Sequence, residues 1–247
     1  MTSEKVYKYM TLTCESIPRV ANIVRTAECW FSKFHHQNDP MEGVFFYYPA
    51  FEKLAEQITN HKNLYTICSF GNSENNPILW AYYTGGFRGV SIGISIDQSW
   101  EKMTKKNSRT GGKKLWCKVV YKKQAEFESA FSEVEAPESI AKKLISQKLD
   151  FWKPESEIRL IYQNAEPGLV EVGKIISLTF GCNIPLKKIE CLINQLKEAD
   201  IDAVAFNIAS PNSEKSGDPV SIEKIEGFEE LKTKFEEYHE WRSRFTW

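Results

Sequence analysis

Glu155-Ser-Glu157-Ile-Arg159 places two carboxylates and a guanidinium at every second position. Alternate side chains of an extended strand share a face, so Glu155, Glu157 and Arg159 project together. A carboxylate in such a setting accepts a proton or stabilises developing positive charge, and a neighbouring guanidinium fixes its position. The plainer role of the same three residues is the charged outer face of an edge strand, with Arg159 pairing one carboxylate. Ile158, Leu160 and Tyr162 occupy the other face, so the spacing predicts a half-buried strand over 155–162.

Two further groups carry potential chemistry. In Leu79-Trp80-Ala-Tyr82-Tyr83, helical spacing puts Trp80 and Tyr83 on one side and Tyr82 elsewhere. Core packing accounts for one side of that helix. Tyr hydroxyls want partners or water, and a stacking platform for a base or nicotinamide ring is the alternative use. Asn38-Asp39-Pro40 follows His35 and His36. Its side chains either hold a tight turn or present Asp39 and Glu42 to a ligand. Gly85-Gly-Phe-Arg-Gly89 precedes a strand instead of opening a helix, so it fails the context of a dinucleotide loop and reads as a turn. With four His and no G-x-S-x-G, Ser-His-Asp catalysis has little support.

The positioning elements follow from periodicity. Strands are predicted at 6–10, 30–31, 64–70, 89–96, 115–121, 174–180 and 203–208, besides 155–162. Helices are predicted at 16–28, 49–60 and 78–83, from Pro137 through Leu149, over 186–196, and over 228–247. In the 89–96 strand, Val90, Ile92, Ile94 and Ile96 face inward. Ser91, Gly93 and Ser95 leave the other face small, so another group must approach closely there. The mixture lacks a regular βαβ repeat, which predicts an α+β fold with a largely antiparallel sheet and packed helices. No linker or internal repeat divides residues 1–247, so a single α+β domain is expected.

Composition excludes some partners. Hydrophobic content is 42% and charged content 26%, ordinary for a chain that buries a core. Lys plus Arg is 32 against 33 for Asp plus Glu, so no global basic footprint for nucleic acid exists. A local patch, Lys102, Lys105, Lys106, Arg109, Lys113 and Lys114, could still meet it. The six Cys show no C-x-x-C pair and no metal-type spacing. No apolar run spans a bilayer and no signal segment opens the sequence, so a reduced cytoplasmic location without membrane contact is expected.

The ordered set Tyr7-Lys8-Tyr9, Trp30-Phe-Ser32, Asn38-Asp-Pro40, Cys68-Ser69-Phe70, Leu79-Trp80-x-x-Tyr83, Gly89-Val-x-Ile-Gly93 and Trp152-Lys-x-Glu-x-Glu157-x-Arg159 resembles the bacterial domain-of-unknown-function family 2971 over residues 5 to 210. More distantly, the chain resembles the ADP-ribosyltransferase fold. There the Tyr7-Lys8-Tyr9 strand, the following helix and the Asn38-Asp39 turn stand for the nicotinamide-binding half. Ser69 and Ser91 stand for the middle motif, and Glu155-x-Glu157 for the closing Glu-x-Glu. The first motif usually offers His or Arg, and a clear Ser-Thr-Ser is missing. This likeness is a fold-level analogy. It implies NAD as substrate, with Glu157 stabilising an oxocarbenium-like state, Tyr82 or Tyr83 stacking on nicotinamide beside Trp80, and Lys8 or Arg159 meeting the pyrophosphate.

Three functions follow. The first is an NAD-consuming ADP-ribosyltransferase or glycohydrolase, a toxin or phage-defence effector with a nucleic-acid or protein acceptor. The second is a non-catalytic module whose aromatics hold a nucleotide or peptide. The third is a metal-dependent nuclease or hydrolase using Asp39, Glu42, Glu155 and Glu157 as oxygen ligands.

Overall fold

A computed structural model describes residues 4–37, 51–103, 114–124, 126, 135–163, 165–197, 203–212 and 217–243, with side chains to residue 240. The Asn38-Asp39-Pro40 turn, Glu42 and most of the basic patch (Lys105, Lys106, Arg109 and Lys113) lie outside the described residues.

The chain forms two compact units, one from Met1–Glu28, Gly71–Asp97 and Glu171–Trp247, the other from Cys29–Phe70 and Gln98–Val170. Within a residue or so of those borders, the first unit opens with β1 (Lys5–Thr11) and α1 (Ile17–Thr26). The second contributes β2 (Glu28–Lys33), α2 (Glu52–Asn63) and β3 (Tyr65–Gly71). The first resumes with α3 (Pro77–Tyr82) and β4 (Gly89–Ile96). The second resumes with β5 (Glu101–Lys102), β6 (Lys114–Lys118), β7 (Val120–Lys122), α4 (Pro137–Ile145), β8 (Gln147–Leu149), β9 (Glu157–Gln163) and β10 (Gly168–Glu171). The first closes with β11 (Gly173–Gly181), α5 (Leu186–Leu196), β12 (Ala205–Pro211), β13 (Val220–Ile225) and α6 (Phe228–Ser243). Both units mix helices with strands, and the large sheet is mostly antiparallel, as the α+β reading expects; in the second unit β5 and β6, and β7 and β8, pair in parallel. Each unit is assembled from separated segments, so no linker composition marks the passages between them.

In the first unit the strand order is β13-β12-β11-β4-β1. Only β11 and β12 pair in parallel, and α5 makes the crossover that a parallel pair requires. Cross-strand register sorts the two faces. Ile92, Leu178 and Phe206 form one apolar row that ends at Lys8 on β1, and Met10, Val90, Phe180 and Ile208 form another. On the opposite face Tyr9, Ser91, Thr179 and Asn207 lie side by side, followed by Tyr7, Gly93, Ser177 and Ala205. A register shift between Ile175 and Ser177 keeps Ile175 on the apolar face. Without the extra residue, Ile175 and Ser177 would share a face; the bulge turns Ile175 toward Ile94 and Ser177 toward Gly93. The close approach expected over the small face is present. A Cβ on Gly93 would collide with Ser177 Oγ and come within 3.3 Å of the Tyr7 ring.

In the second unit the order is β10-β2-β3-β9-β6-β5, with β7 and β8 forming a separate parallel pair. Phe34, Tyr65, Ile67, Leu115, Cys117, Ile145 and Ile161 make one buried cluster there. α2 packs on α4 through Ile58, Ile140, Ala141 and Leu144.

Two local expectations change. The predicted helix from Pro137 to Leu149 ends at Ile145; Ser146 leaves helical geometry, and Gln147–Leu149 pairs with β7. The 155–162 strand starts only at Glu157. Asp150–Glu155 is a 3-10 turn, and Ser156 adopts a left-handed backbone with φ 48°. Nor is β9 a half-buried edge strand. It lies between β3 and β6, and six of its seven residues are buried. The apolar/charged alternation misled because the charged face is covered by partners instead of water.

Candidate functional site

The Glu-x-Glu-x-Arg motif folds into a closed ion cluster in the second unit. Glu155, Glu157, Arg159 and Lys148 are each at most 6% exposed. Lys148 Nζ lies 2.7 Å from Glu155 Oε2 and 3.2 Å from Glu157 Oε2. Arg159 Nε donates to Glu157 Oε1 at 2.8 Å, and Arg159 Nη1 donates to Ile145 O at 2.6 Å. The Glu157 backbone N–H donates to the Tyr121 hydroxyl at 2.8 Å. The Lys148 ammonium stands 4.9 Å from the Trp152 ring centroid, a cation–π distance. Two cations balance two anions, which is how a protein tolerates such groups away from water. Burial pushes the Glu157 carboxyl above its ordinary range, while the Lys148 ammonium and the Ser69 hydroxyl pull it back. Ser69 thus joins Glu157, as does Arg159, but both Glu157 oxygens are engaged.

The aromatic residues and Tyr7-Lys8-Tyr9 belong to the first unit. Asn76 caps α3, its Oδ1 accepting from the N–H groups of Ile78 and Leu79, and Pro77 takes the first helical position. The resulting helix buries Trp80 completely, stacked on Phe87 and edge-on to Tyr9 at 5.3 Å each. Tyr7 and Tyr83 pack partly buried against the same cluster. Tyr82 is 75% exposed, as helical spacing requires. Lys8 points to the apolar side of the sheet, away from the Tyr7 and Tyr9 face.

The group that sequence reasoning missed is Glu74, in the short segment between β3 and α3. Trp80 Nε1 donates to the Glu74 carbonyl at 2.8 Å and holds this segment over the small face of the sheet. The Glu74 carboxylate Oε1 accepts from Ser177 Oγ at 3.3 Å, from Asn207 Nδ2 at 3.2 Å and from the Thr179 hydroxyl. Asn207 Nδ2 also donates to Thr179 Oγ1 at 3.1 Å. All three donors are buried, whereas Glu74 is half-buried. Its Oε2 receives no hydrogen bond from the described residues. Burial, then the Glu74 charge, raises the Tyr7 hydroxyl above the ordinary tyrosine range. A sequence signal existed: Ser177-x-Thr179 repeats the period-two small polar pattern of Ser91-x-Gly93 on a second strand.

Among the described residues, no group of three or more His, Cys, Asp or Glu is placed to hold a metal ion, and no helix is long and apolar enough to cross a membrane.

Residues 79–160 match the family model described as Protein of unknown function (DUF2971). That span holds Leu79-Trp80-x-x-Tyr83, Gly89-Val-x-Ile-Gly93 and the Glu155–Arg159 motif, so the family resemblance is supported over it. No curated protein and no solved structure matches the chain.

Two outcomes test this geometry. Lys148→Met removes one cation from the closed cluster and leaves a buried carboxylate uncompensated. A loss of about 3–5 kcal/mol in urea unfolding is expected; a loss below about 1 kcal/mol, the range of exposed pairs, would contradict it. Glu74→Gln removes the negative charge beside Tyr7, so the Tyr7 hydroxyl should ionise at lower pH, read by NMR of ring-labelled tyrosine. The sign is that of a raised acid. The protonated phenol favours the folded state below an unfolded value of about 10, and this contribution is lost as pH climbs through the folded value. An unmoved Tyr7 titration would refute the proximity of the two groups.

Proposed function

We propose that the first unit binds a nucleotide-type small molecule and that the chain acts as a binding module for it. The observation that carries this reading is the uneven hydrogen bonding of Glu74: one carboxylate oxygen takes three protein donors and the other takes none among the described residues. A carboxylate anchored in this way gains from a ligand N–H or O–H, such as a ribose hydroxyl or the amino group of a base, because hydrogen bonds to charged groups are the stronger ones. The partly buried rings of Tyr7 and Tyr83 supply apolar faces in the same unit, the Tyr7 ring lying against the Gly93 position beside Ser177.

The enzymatic alternative centred on Glu157 has weaker support. A carboxylate that stabilises an oxocarbenium-like state must face the substrate with its charge available. Glu157 is buried, and Lys148 and Arg159 compensate its charge.

Calorimetric titration with adenosine, AMP, ADP and NAD tests the proposal, with nicotinamide release followed in the NAD samples. Saturable binding is expected, weakened about tenfold or more by Glu74→Gln, since a charged hydrogen bond contributes roughly 1.5–3 kcal/mol. No release of nicotinamide is expected. Absence of binding to every probe, or binding indifferent to Glu74→Gln, would dismiss the module. Nicotinamide release that Glu157→Gln abolishes in a folded protein would restore the enzyme.

A further inference from the structure

Glu74 has a neighbour in the same condition. Tyr7 is half-buried, its ring lies against the Gly93 position beside Ser177, and its hydroxyl makes no hydrogen bond among the described residues. Tyr9, two residues on and on the same face, differs: its hydroxyl donates to the Ser73 carbonyl at 2.7 Å. The small face therefore offers one unengaged acceptor, Glu74 Oε2, and one unengaged donor, the Tyr7 hydroxyl. Ser177 bridges their surroundings, since its Oγ donates to Glu74 and also meets the Gly93 position that the Tyr7 ring approaches.

Resting on the nucleotide reading, we propose that Tyr7 and Glu74 together read a neutral donor–acceptor edge, a carboxamide or an amino-heterocycle, and reject the same ligand when that edge is a carboxylate. A carboxamide presents N–H and C=O side by side, so its N–H reaches Glu74 Oε2 while its C=O accepts from Tyr7. A carboxylate supplies no donor and sets a second negative charge against Glu74, where like charges repel most strongly because the site is partly desolvated. Unpaired polar groups in a site built for a missing partner are the strongest source of such discrimination. Phosphate at this point is disfavoured for the same reason. A phenol is protonated at neutral pH, and burial with the Glu74 charge pushes Tyr7 further that way, so it stays a donor.

Nicotinamide riboside and nicotinic acid riboside differ only at this edge and serve as the matched probes, with adenosine as a second neutral ligand. The unaltered protein should bind the amide about tenfold or more tightly than the acid, the scale of one charged hydrogen bond. Glu74→Gln, which removes the charge and adds an amide donor, should bring the two within about threefold, by weakening the amide and relieving the repulsion of the acid. Tyr7→Phe should weaken the amide several-fold with an unchanged unfolding midpoint. Equal binding of amide and acid, a preference that survives Glu74→Gln, or indifference to Tyr7→Phe would overturn the edge reading while leaving nucleotide binding intact. Failure of all three ligands to bind would instead remove the nucleotide reading on which it rests.

Discussion

A half-buried carboxylate whose two oxygens live in different surroundings organises the first unit. Glu74 is held from below by Ser177, Thr179 and Asn207, which come from two adjacent parallel strands, and from behind by the Trp80 indole on its carbonyl. Ser177 and Thr179 share a face by the period of two along β11, Asn207 pairs beside Thr179, and the bulge before Ser177 puts Ile175 on the other face. The constraint thus runs from the register of two paired strands to the placement of one charge. Three neutral donors satisfy one oxygen without neutralising the group, so the carboxylate keeps its charge for whatever meets Oε2.

The second unit solves the opposite problem. Glu155, Glu157, Lys148 and Arg159 are buried as a balanced set, each charge facing its complement. Removing any one member exposes the desolvation cost of the others, which gives such a set specificity of arrangement more than net stability. Its placement at the junction of a 3-10 turn, β8 and β9 ties two short elements to a strand buried within the sheet. A closed cluster of this kind suits architecture; an open carboxylate suits recognition.

How much of this was legible in the sequence depends on whether the signal was local. The alternation of Val90, Ile92, Ile94 and Ile96 against Ser91, Gly93 and Ser95 reported both faces of β4 correctly, because period two is intrinsic to a strand. Helical spacing likewise separated buried Trp80 from exposed Tyr82. Glu155, Glu157 and Arg159 were visible as a group, yet their environment was not. Lys148 completes the cluster from a strand that sequence periodicity had merged into the preceding helix. Glu74 was invisible as a site residue because a turn's composition does not say which strand rows lie beneath it. The period-two Ser177-x-Thr179 pattern was readable, whereas the change of phase after Ile175 was not, because a bulge leaves no compositional mark in Ile175-Ile176-Ser177.

A crystal structure of the protein with nicotinamide riboside tests the central claim most directly. The account predicts ligand density over the small face, with the amide nitrogen within hydrogen-bond distance of Glu74 Oε2 and the amide oxygen within reach of the Tyr7 hydroxyl. Density that sits elsewhere, with Glu74 Oε2 closed off by a protein donor, would contradict it.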